Sequence, residues 1–366
     1  MIRRNWILVL TPFLLVEVIL SYVPTVSGSV AIGSITPINS EVTMQTSPPI
    51  SSNINQKIFF LGDLMLARNV ERRLKQEGLV AALKNFELLW SNAYVVANFE
   101  AAVPSTHIPT PDFTFSFSVN KVLLPALREA GVTHVSLANN HAFDFGLAGY
   151  ENTVLEMGTS DLISFGHPHH IATSSFSKIK VDESEITLIG LNLTSTLTNI
   201  NQLKAELESH DKSSDIEIAY VHWGEEYKQK QSSAQRQVAT KLSELGIDVI
   251  IGHHPHVIQG IEKINQTLVF YSLGNFLFDQ YFSEEVQLGL MLALTTDADG
   301  VSFELIPVSS LESRVKPQVA NETLRHKVLE NISQNSDQSL REEIMQGRVF
   351  LPLALATSTE VVIMTE

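Results

Sequence analysis

Three histidines directly follow a short apolar run in residues 246–259, which read GIDVIIGHHPHVIQ. They are His253, His254 and His256. The apolar run at 248–251 is too short for a helix and is typical of a strand buried on both faces. Neutral imidazoles are ligands of divalent metal ions, so the segment could place a metal site at the carboxyl end of a strand. The alternative is a solvated loop whose histidines have no function, and this segment alone favours neither.

Five further apolar runs are also followed by side chains that can bind a metal ion. Each run is predicted to be a strand, and helical patterns at 68–86, 147–157 and 233–245 separate most of them. In an α/β sheet, ligands bind outside the carboxyl ends of the strands, so we expect one shared site at that edge. The polar residues are Asp63 after 58–61, Asn98 and Glu100 after 93–97, Asn139, Asn140 and His141 after 134–138, His222 after 216–221, and Asn275 and Asp279 after 268–273.

Carboxylate, amide and imidazole ligands around a cation would make an open site with room for water. Such a cation acidifies bound water and stabilises charge on a phosphoryl oxygen, so the predicted reaction is hydrolysis of a phosphoester. His141 could protonate the leaving group or stabilise the developing charge, and Asp144 could orient its imidazole. Asp144 could equally be the N-cap of a helix that begins at Gly146.

Composition restricts the partners and the metal ligands of this chain. Its 366 residues include 40 acidic and 25 basic side chains, and the net charge of −15 argues against binding nucleic acid. It contains no cysteine, which excludes disulfides, thiolate nucleophiles and thiolate ligands. A bound metal must therefore be held by His, Asp, Glu and Asn, which suits manganese, iron, zinc or magnesium.

The amino-terminal residues 1–31 have the pattern of an export signal. Two arginines precede an apolar run at 6–23, and small residues follow it. The run could just span a bilayer, but Glu17 and Pro12 interrupt it, so a cleaved signal peptide and a retained membrane anchor both remain open. In either case the folded part is expected outside the cytoplasm, as a membrane-anchored, periplasmic or secreted domain.

The rest of the chain divides into a linker, a folded domain and a tail. Residues 32–56 are rich in Ser, Thr, Asn and Pro, as expected of a linker. The folded domain is predicted at 57–310 and finishes in a β-hairpin with strands at 288–296 and 301–308. The C-terminal extension at 311–366 contains one predicted amphipathic helix, and we assign it no function.

Six motifs occur in order along the chain: GDLMLAR at 62–68, NFEAAV at 98–103, SLANNHAFDFG at 136–146, VHWGEEY at 221–227, GIDVIIGHHPHVIQ at 246–259 and YSLGNFLFD at 271–279. Together they resemble the CapA family of capsule-synthesis proteins, which is associated with poly-γ-glutamate production and looks like a branch of the calcineurin-like metallophosphoesterases. The resemblance covers roughly residues 57–308. It implies a metallophosphoesterase-like layered α/β sandwich with the metal site at the carboxyl ends of the strands.

The resemblance also implies a role for each matching residue. His141 matches the histidine of the phosphoesterases' Asn-His pair and is expected near the scissile phosphate. The implied metal ligands are Asp63 and His256 for one ion, Glu100 as the bridging carboxylate, and Asn140, His222 and His254 for the second ion.

One departure from the phosphoesterase pattern concerns Met65. Typical phosphoesterases have a histidine two residues after the first aspartate, whereas this chain has Met65 two residues after Asp63. Methionine is a weak ligand for the expected metals, so the first ion loses a donor. Either that ion binds weakly or not at all, or another residue such as Asp279 or His253 compensates. CapA-like chains share this substitution.

These observations lead to three functional hypotheses. The first is an exported hydrolase with one or two divalent ions, which acts at the cell envelope on an anionic surface polymer or its lipid-linked precursor. The second, motivated by Met65, is a non-catalytic accessory subunit that joins membrane synthase subunits in a polymer synthesis and export complex. In the third, metal-activated water cleaves amide bonds of a γ-linked glutamate chain. In all three cases an uncleaved amino-terminal segment would anchor the protein to the membrane.

Overall fold

The computed structural model describes residues 56–111, 114–194, 204–205 and 214–353, and all of them lie within one unit, Thr43–Glu366. The predicted export signal and nearly all of the predicted linker lie outside the described residues. Within the described ranges, no helix is both long enough and apolar enough to cross a bilayer.

The described strands form two sheets. The strands are β1 (Ile58–Leu64), β2 (Tyr94–Phe99), β3 (His134–Ser136), β4 (Ile163–Phe165), β5 (Phe176–Val181), β6 (Ser184–Asn192), β7 (Ile216–His222), β8 (Val249–His253), β9 (Ile261–Ile264), β10 (Thr267–Phe270), β11 (Asn275–Leu277), β12 (Leu288–Asp297), β13 (Gly300–Ser309), β14 (Gln318–Val319) and β15 (Arg348–Pro352). The first sheet has the order β14-β13-β12-β1-β2-β3-β4, with β11 paired to β1 and β15 paired to β13. The second has the order β5-β6-β7-β8-β10-β9.

Helices cover the outer faces of the two sheets, and two more, which follow residue 320, pack in the core between the sheets. They are α1 (Arg68–Glu77), α2 (Leu79–Leu83), α3 (Leu123–Glu129), α4 (Gly146–Thr159), α5 (Ser233–Glu244), α6 (Glu322–Gln334) and α7 (Arg341–Gln346). Buried side chains of α1 to α4 pack on the first sheet, and those of α5 pack on the second. A third core lies between the two sheets, so the layers run helix, sheet, sheet, helix.

Alternation of side chains along β1 explains why its first four residues are all apolar. Ile58 and Phe60 belong to the core between the sheets, whereas Phe59 and Leu61 belong to the core beneath the helices. A strand covered on both faces needs apolar residues at every position, which is the continuous pattern read from the sequence. The predicted layered α/β sandwich is therefore confirmed.

The predicted elements are found, with two corrections. The helical pattern at 68–86 is divided at Gly78, whose φ of 76° ends α1 and separates it from α2. The strands that precede the polar residues do not share one sheet edge, because β1, β2 and β3 belong to the first sheet and β7, β8 and β10 to the second. The polar residues therefore meet where the carboxyl ends of two sheets face each other.

Two close contacts bring the site-bearing strands together. A Cβ atom at Gly62 would lie only 2.1 Å from the carbonyl oxygen of Gly274, so glycine is needed for the chain before β11 to approach β1. That approach lets the Asp63 backbone N–H donate to the Gly274 carbonyl over 2.9 Å. Between the sheets, the Tyr220 hydroxyl donates to the Leu61 carbonyl over 2.9 Å.

The segment after residue 310 contributes to the same cores. The predicted hairpin is confirmed as β12 and β13, and both β14 and β15 add to β13 in the antiparallel sense. The predicted amphipathic helix is present as α6, and its Val328 and Leu329 pack in the core between the sheets together with Leu351 of β15. Residues of the predicted C-terminal extension therefore form an ordinary sheet strand, β15.

Candidate metal centre

Asp63 lies at the centre of the site, fully buried near the end of β1. Its Oδ1 accepts a hydrogen bond from Asn98 Nδ2 at 2.8 Å and lies 3.2 Å from His253 Nδ1, while its Oδ2 lies 3.1 Å from His256 Nδ1. Burial raises the pKa of this carboxyl, but the hydrogen bonds to His253 and His256 outweigh burial and hold the pKa well below its usual range. Asp63 is therefore ionised, as a metal ligand must be.

Glu100 is the second buried carboxylate, one residue beyond the end of β2. Its Oε1 lies 3.6 Å from His256 Nε2 and 3.7 Å from His141 Nε2. Among the described residues, neither of its carboxylate oxygens has a hydrogen-bond partner. Burial raises the pKa of Glu100 to about 7, with a smaller opposing effect from His256. A buried carboxylate without donors is costly, and a bound cation would remove that cost.

The histidine loop after β8 bends sharply to present its side chains. His254 and His256 have φ angles of 92° and 57°, a left-handed conformation that costs a non-glycine residue roughly 1–3 kcal/mol each. Such strain is typical of functional loops. The Nδ1 atom of His256 lies between Asp63 Oδ2 and Asn275 Oδ1, the latter at 3.0 Å, so Nε2 is the atom left for a metal.

His222 and Asn140 meet from the two sheets. The Nε2 atom of His222, the last residue of β7, lies 2.8 Å from Asn140 Oδ1, and its Nδ1 lies 3.2 Å from Asn98 Nδ2. The His254 ring is 4.7 Å from the His222 ring. Burial lowers the pKa of both imidazoles, for His254 to about 4, and each ring is further disfavoured as a cation by its neighbouring histidines. Both rings are therefore neutral at pH 7 and able to bind a metal.

His141 lies beside Glu100 and is held in one orientation. Its Nδ1 lies 3.0 Å from Asp144 Oδ2, and its ring stacks on Phe117 with 4.0 Å between centroids. The same Asp144 oxygen accepts the Phe117 backbone N–H at 2.7 Å. The alternative role of Asp144 as a helix N-cap is wrong, because the N-cap of α4 is Phe145 and the Asp144 oxygen is engaged elsewhere.

Met65 does not point toward the site. It is fully buried in the core beneath the helices, and its sulfur accepts the Ala67 backbone N–H at 3.0 Å. Asp279, one of the two residues suggested to compensate, forms an ion pair with Arg68. The other, His253, keeps Nδ1 on Asp63 and has a buried Nε2 that lacks a hydrogen-bond partner among the described residues.

The structure thus brings all eight predicted site residues into one continuous cluster. Two groups within it have converging ligand atoms, each set lying within 4.8 Å of one another. The first is Asp63, Glu100 and His256, and the second is Glu226, His254 and His256. Carboxylate oxygens and imidazole nitrogens, several of them buried and without hydrogen-bond partners in the described part of the chain, make a donor set that fits a divalent cation.

Three further residues of the cluster were noted in the sequence but were not among the predicted ligands, although His253 was suggested as a compensating donor. Asn98 links Asp63 to His222, Asn275 fixes the His256 ring, and His253 contacts Asp63. Each lies at the end of a strand or at the start of β11, so its position relative to the strands could have predicted that it belongs to the site. Glu226 could not have been predicted in this way, because it lies four residues beyond the end of β7.

An open cleft of about 270 Å³ adjoins this cluster. Its wall includes the Arg68 guanidinium, which lies 4.4 Å from the Phe117 ring centroid and pairs with Asp279. Arg68 is the only lysine or arginine among the described residues that line it. The remaining lining residues are Asn69, Phe115, His141, Glu226, Tyr227, His256, Phe278, Gln280 and Phe282.

Two packed sheets between helices, with carboxylates and imidazoles gathered at the strand ends, define a metallophosphoesterase-like layered α/β protein. The chain belongs to the family described as bacterial capsule synthesis protein PGA_cap, which matches residues 57–280. The resemblance to CapA proteins drawn from the six motifs is thereby confirmed.

Two relatives have names that agree with this family. The PGA biosynthesis protein CapA of Bacillus subtilis (strain 168) is 30% identical over 287 residues, which are 74% of this chain and 75% of that protein. The capsule biosynthesis protein CapA of Bacillus anthracis is 28% identical over 296 residues, or 74% and 71% of the two chains. Among solved structures, a hypothetical protein from Thermus thermophilus is 16% identical with a TM-score of 0.43, covering 72% of this chain and 98% of its own.

Proposed function

We propose that this protein is an exported, divalent-metal-dependent hydrolase of the phosphoesterase type that acts in capsule or poly-γ-glutamate synthesis at the cell envelope. The observation that carries the proposal is Glu100, a fully buried carboxylate whose two oxygens lack hydrogen-bond partners within the described residues. It lies between the imidazoles of His141 and His256, as a bridging metal ligand would. The names of the two Bacillus relatives support the biological setting.

The residues around Glu100 suit hydrolysis of an anionic ester. Asp63, Glu100, Asn140, His222, His254 and His256 would hold one or two ions. Bound there, the cation would acidify water and stabilise negative charge on a phosphoryl oxygen. His141 would act through Nε2, because its Nδ1 is held by Asp144, and in its imidazolium form it would donate the Nε2 proton to a leaving group. Arg68 and the aromatic wall of the cleft would contact the anionic group and the apolar part of a substrate.

Export and partners are part of the same proposal. The apolar run at 6–23 would carry the folded domain across the membrane, and the substrate would be an anionic surface polymer or its precursor. The net charge of −15 would repel such a polymer, so its binding would depend on the cation and on Arg68.

Metal content and hydrolysis measured in the same samples test this function. We would purify the full-length chain, its Glu100→Gln and His222→Ala variants, and the control Glu304→Gln, which alters an exposed carboxylate on β13. Elemental analysis would count bound metal, and bis(4-nitrophenyl) phosphate would report phosphodiester cleavage. The proposal expects metal and turnover in wild type and in the control, and loss of both in the two site variants. A wild-type chain that contains no metal after growth in Mn²⁺, Fe²⁺ and Zn²⁺ would refute it.

The position of Met65 favours a second candidate, the non-catalytic accessory subunit. Its sulfur lies in the core, so the site lacks the donor that typical phosphoesterases have there. In this case metal would bind without turnover. Polymer production in cells would then survive Asn140→Ala and His222→Ala but would be lost when residues 1–31 are deleted. Loss of polymer with the point variants would favour the hydrolase.

A further inference from the structure

A carboxylate without an assigned role reaches the candidate centre from the loop after β7. The ligand atoms of Glu226, His254 and His256 all lie within 4.8 Å of one another. The Glu226 side chain is exposed and lines the cleft, whereas His256 is buried. The family resemblance takes His222 from the same motif, VHWGEEY, and gives Glu226 no role.

The backbone of this loop is shaped to place Glu226 against the histidines. Gly224 and Tyr227 have φ angles of 85° and 65°, so the chain turns back on itself within four residues. The Tyr227 N–H then donates to the Pro255 carbonyl over 2.8 Å, which joins the two loops directly. The Tyr227 hydroxyl also accepts from Gln280 Nε2 at 3.1 Å. A left-handed tyrosine is unfavourable unless its contacts compensate, as these do.

The two histidines of this group differ in how their ring nitrogens are engaged. The Nδ1 atom of His254 is buried and has no hydrogen-bond partner within the described residues. His256 has its Nδ1 engaged by Asp63 and Asn275, which leaves Nε2 as the donor atom. Two imidazoles and one carboxylate form a donor set suited to Mn²⁺, Fe²⁺ or Zn²⁺.

We propose that Glu226 is a metal ligand that, together with His254 and His256, holds a divalent cation on the cleft side of the centre. This inference rests on the proposed function, because it adds a ligand to the same metal site. In this arrangement a carboxylate from a loop of the other sheet would replace the donor that Met65 does not supply at the end of β1.

Metal affinity in a pair of neighbouring glutamate variants tests the assignment. We would strip the full-length chain with a chelator and titrate Mn²⁺ by calorimetry into wild type, Glu226→Gln and Glu225→Gln. Glu225 is the adjacent exposed carboxylate of the same loop and belongs to neither converging group. The visible absorption of the Co²⁺-loaded proteins gives a second readout, because its bands respond to a change in the inner ligands.

Glu226→Gln should raise the Kd of one ion on the order of 10–100-fold and alter the Co²⁺ bands, as expected when a site loses a contributing side chain. Glu225→Gln should do neither. Wild-type affinity and an unchanged spectrum in Glu226→Gln would overturn the inference while leaving the proposed function intact. Equally weakened metal binding in both variants would also overturn it, because the effect would then come from the charge of the loop and not from a ligand at residue 226. A wild-type chain that binds no metal would overturn the proposed function and this inference together.

Discussion

The Nδ1 atom of His141 lies 3.0 Å from Asp144 Oδ2, and that oxygen also accepts the Phe117 backbone N–H. One carboxylate oxygen therefore fixes both the imidazole and the aromatic ring stacked on it. This arrangement leaves His141 Nε2 directed toward Glu100, at 3.7 Å from its Oε1.

We predict that Asp144→Asn lowers phosphodiester turnover by about 10–100-fold, because the amide keeps the contacts but removes the charge that orients the imidazole. Asp144→Ala should lose at least as much turnover. It should also lower the free energy of unfolding by about 1–3 kcal/mol, since the Phe117 N–H loses its acceptor. Steady-state kinetics and urea denaturation measure the two effects. Full activity in Asp144→Ala would mean that His141 has no role in the proposed hydrolysis.

Asn98 is predicted to tune the metal site although it need not touch the ion. Its Nδ2 donates to Asp63 and lies 3.2 Å from His222 Nδ1, and its Oδ1 accepts from Asn139 Nδ2 at 3.1 Å. Asn98→Ala should weaken metal binding by about 10–100-fold, because two ligands lose a side chain that orients them. Calorimetric titration with Mn²⁺ would measure this, and an unchanged Kd would mean that Asp63 and His222 are held by other contacts.

The residue types at the strand ends were enough to predict most of the residues that the structure brings together. Asp63, Glu100, Asn140, His222, His254 and His256 each follow a recognisable apolar run, and parallel strands end together. The division of those strands between two sheets depends on long-range pairing, which local patterns do not contain. Local patterns also do not predict Glu226, because its approach to the histidines depends on two left-handed residues in a loop.

The alternation of side chains along a strand does not predict where the Met65 side chain lies. A residue two positions after Asp63 should face the same side as Asp63 in a regular strand. The register of β1 against β11 shifts between Asp63 and Leu64, however, and Met65 lies beyond the end of the strand. Its side chain therefore enters the core instead of the site.

This position predicts that Met65→His does not restore a metal ligand. The imidazole would be buried among apolar side chains, where the Ala67 N–H can serve only one of its two ring nitrogens, at a cost of about 1–3 kcal/mol in the free energy of unfolding. Met65→Leu is the matched control, since it keeps the volume and should cost less than about 1.5 kcal/mol. Both variants should keep the wild-type metal content. A rise in bound metal in Met65→His, measured by elemental analysis, would show that residue 65 can reach the site.

The burial of His134 predicts that the free energy of unfolding falls at acidic pH. It is fully buried at the start of β3, and burial, with a smaller effect of Arg128, lowers its pKa to about 3. The unfolded chain binds this proton near pH 6.5 whereas the folded chain does not, so stability falls as the pH drops below about 6.5. At pH 5 the loss attributable to His134 is about 2 kcal/mol, since each pH unit contributes about 1.4 kcal/mol.

His134→Gln should therefore reduce the difference in unfolding free energy between pH 7.5 and pH 5 by about 2 kcal/mol, because glutamine does not titrate. Urea denaturation at both pH values, in the presence of chelator, measures the difference, and the other buried histidines contribute equally to both proteins. His326→Gln, which removes an exposed histidine from α6, controls for the loss of an imidazole and should not reproduce the effect. The same pH dependence in His134→Gln and wild type would mean that the folded protein accepts a proton at His134, and that this buried position is more open to water than its packing implies.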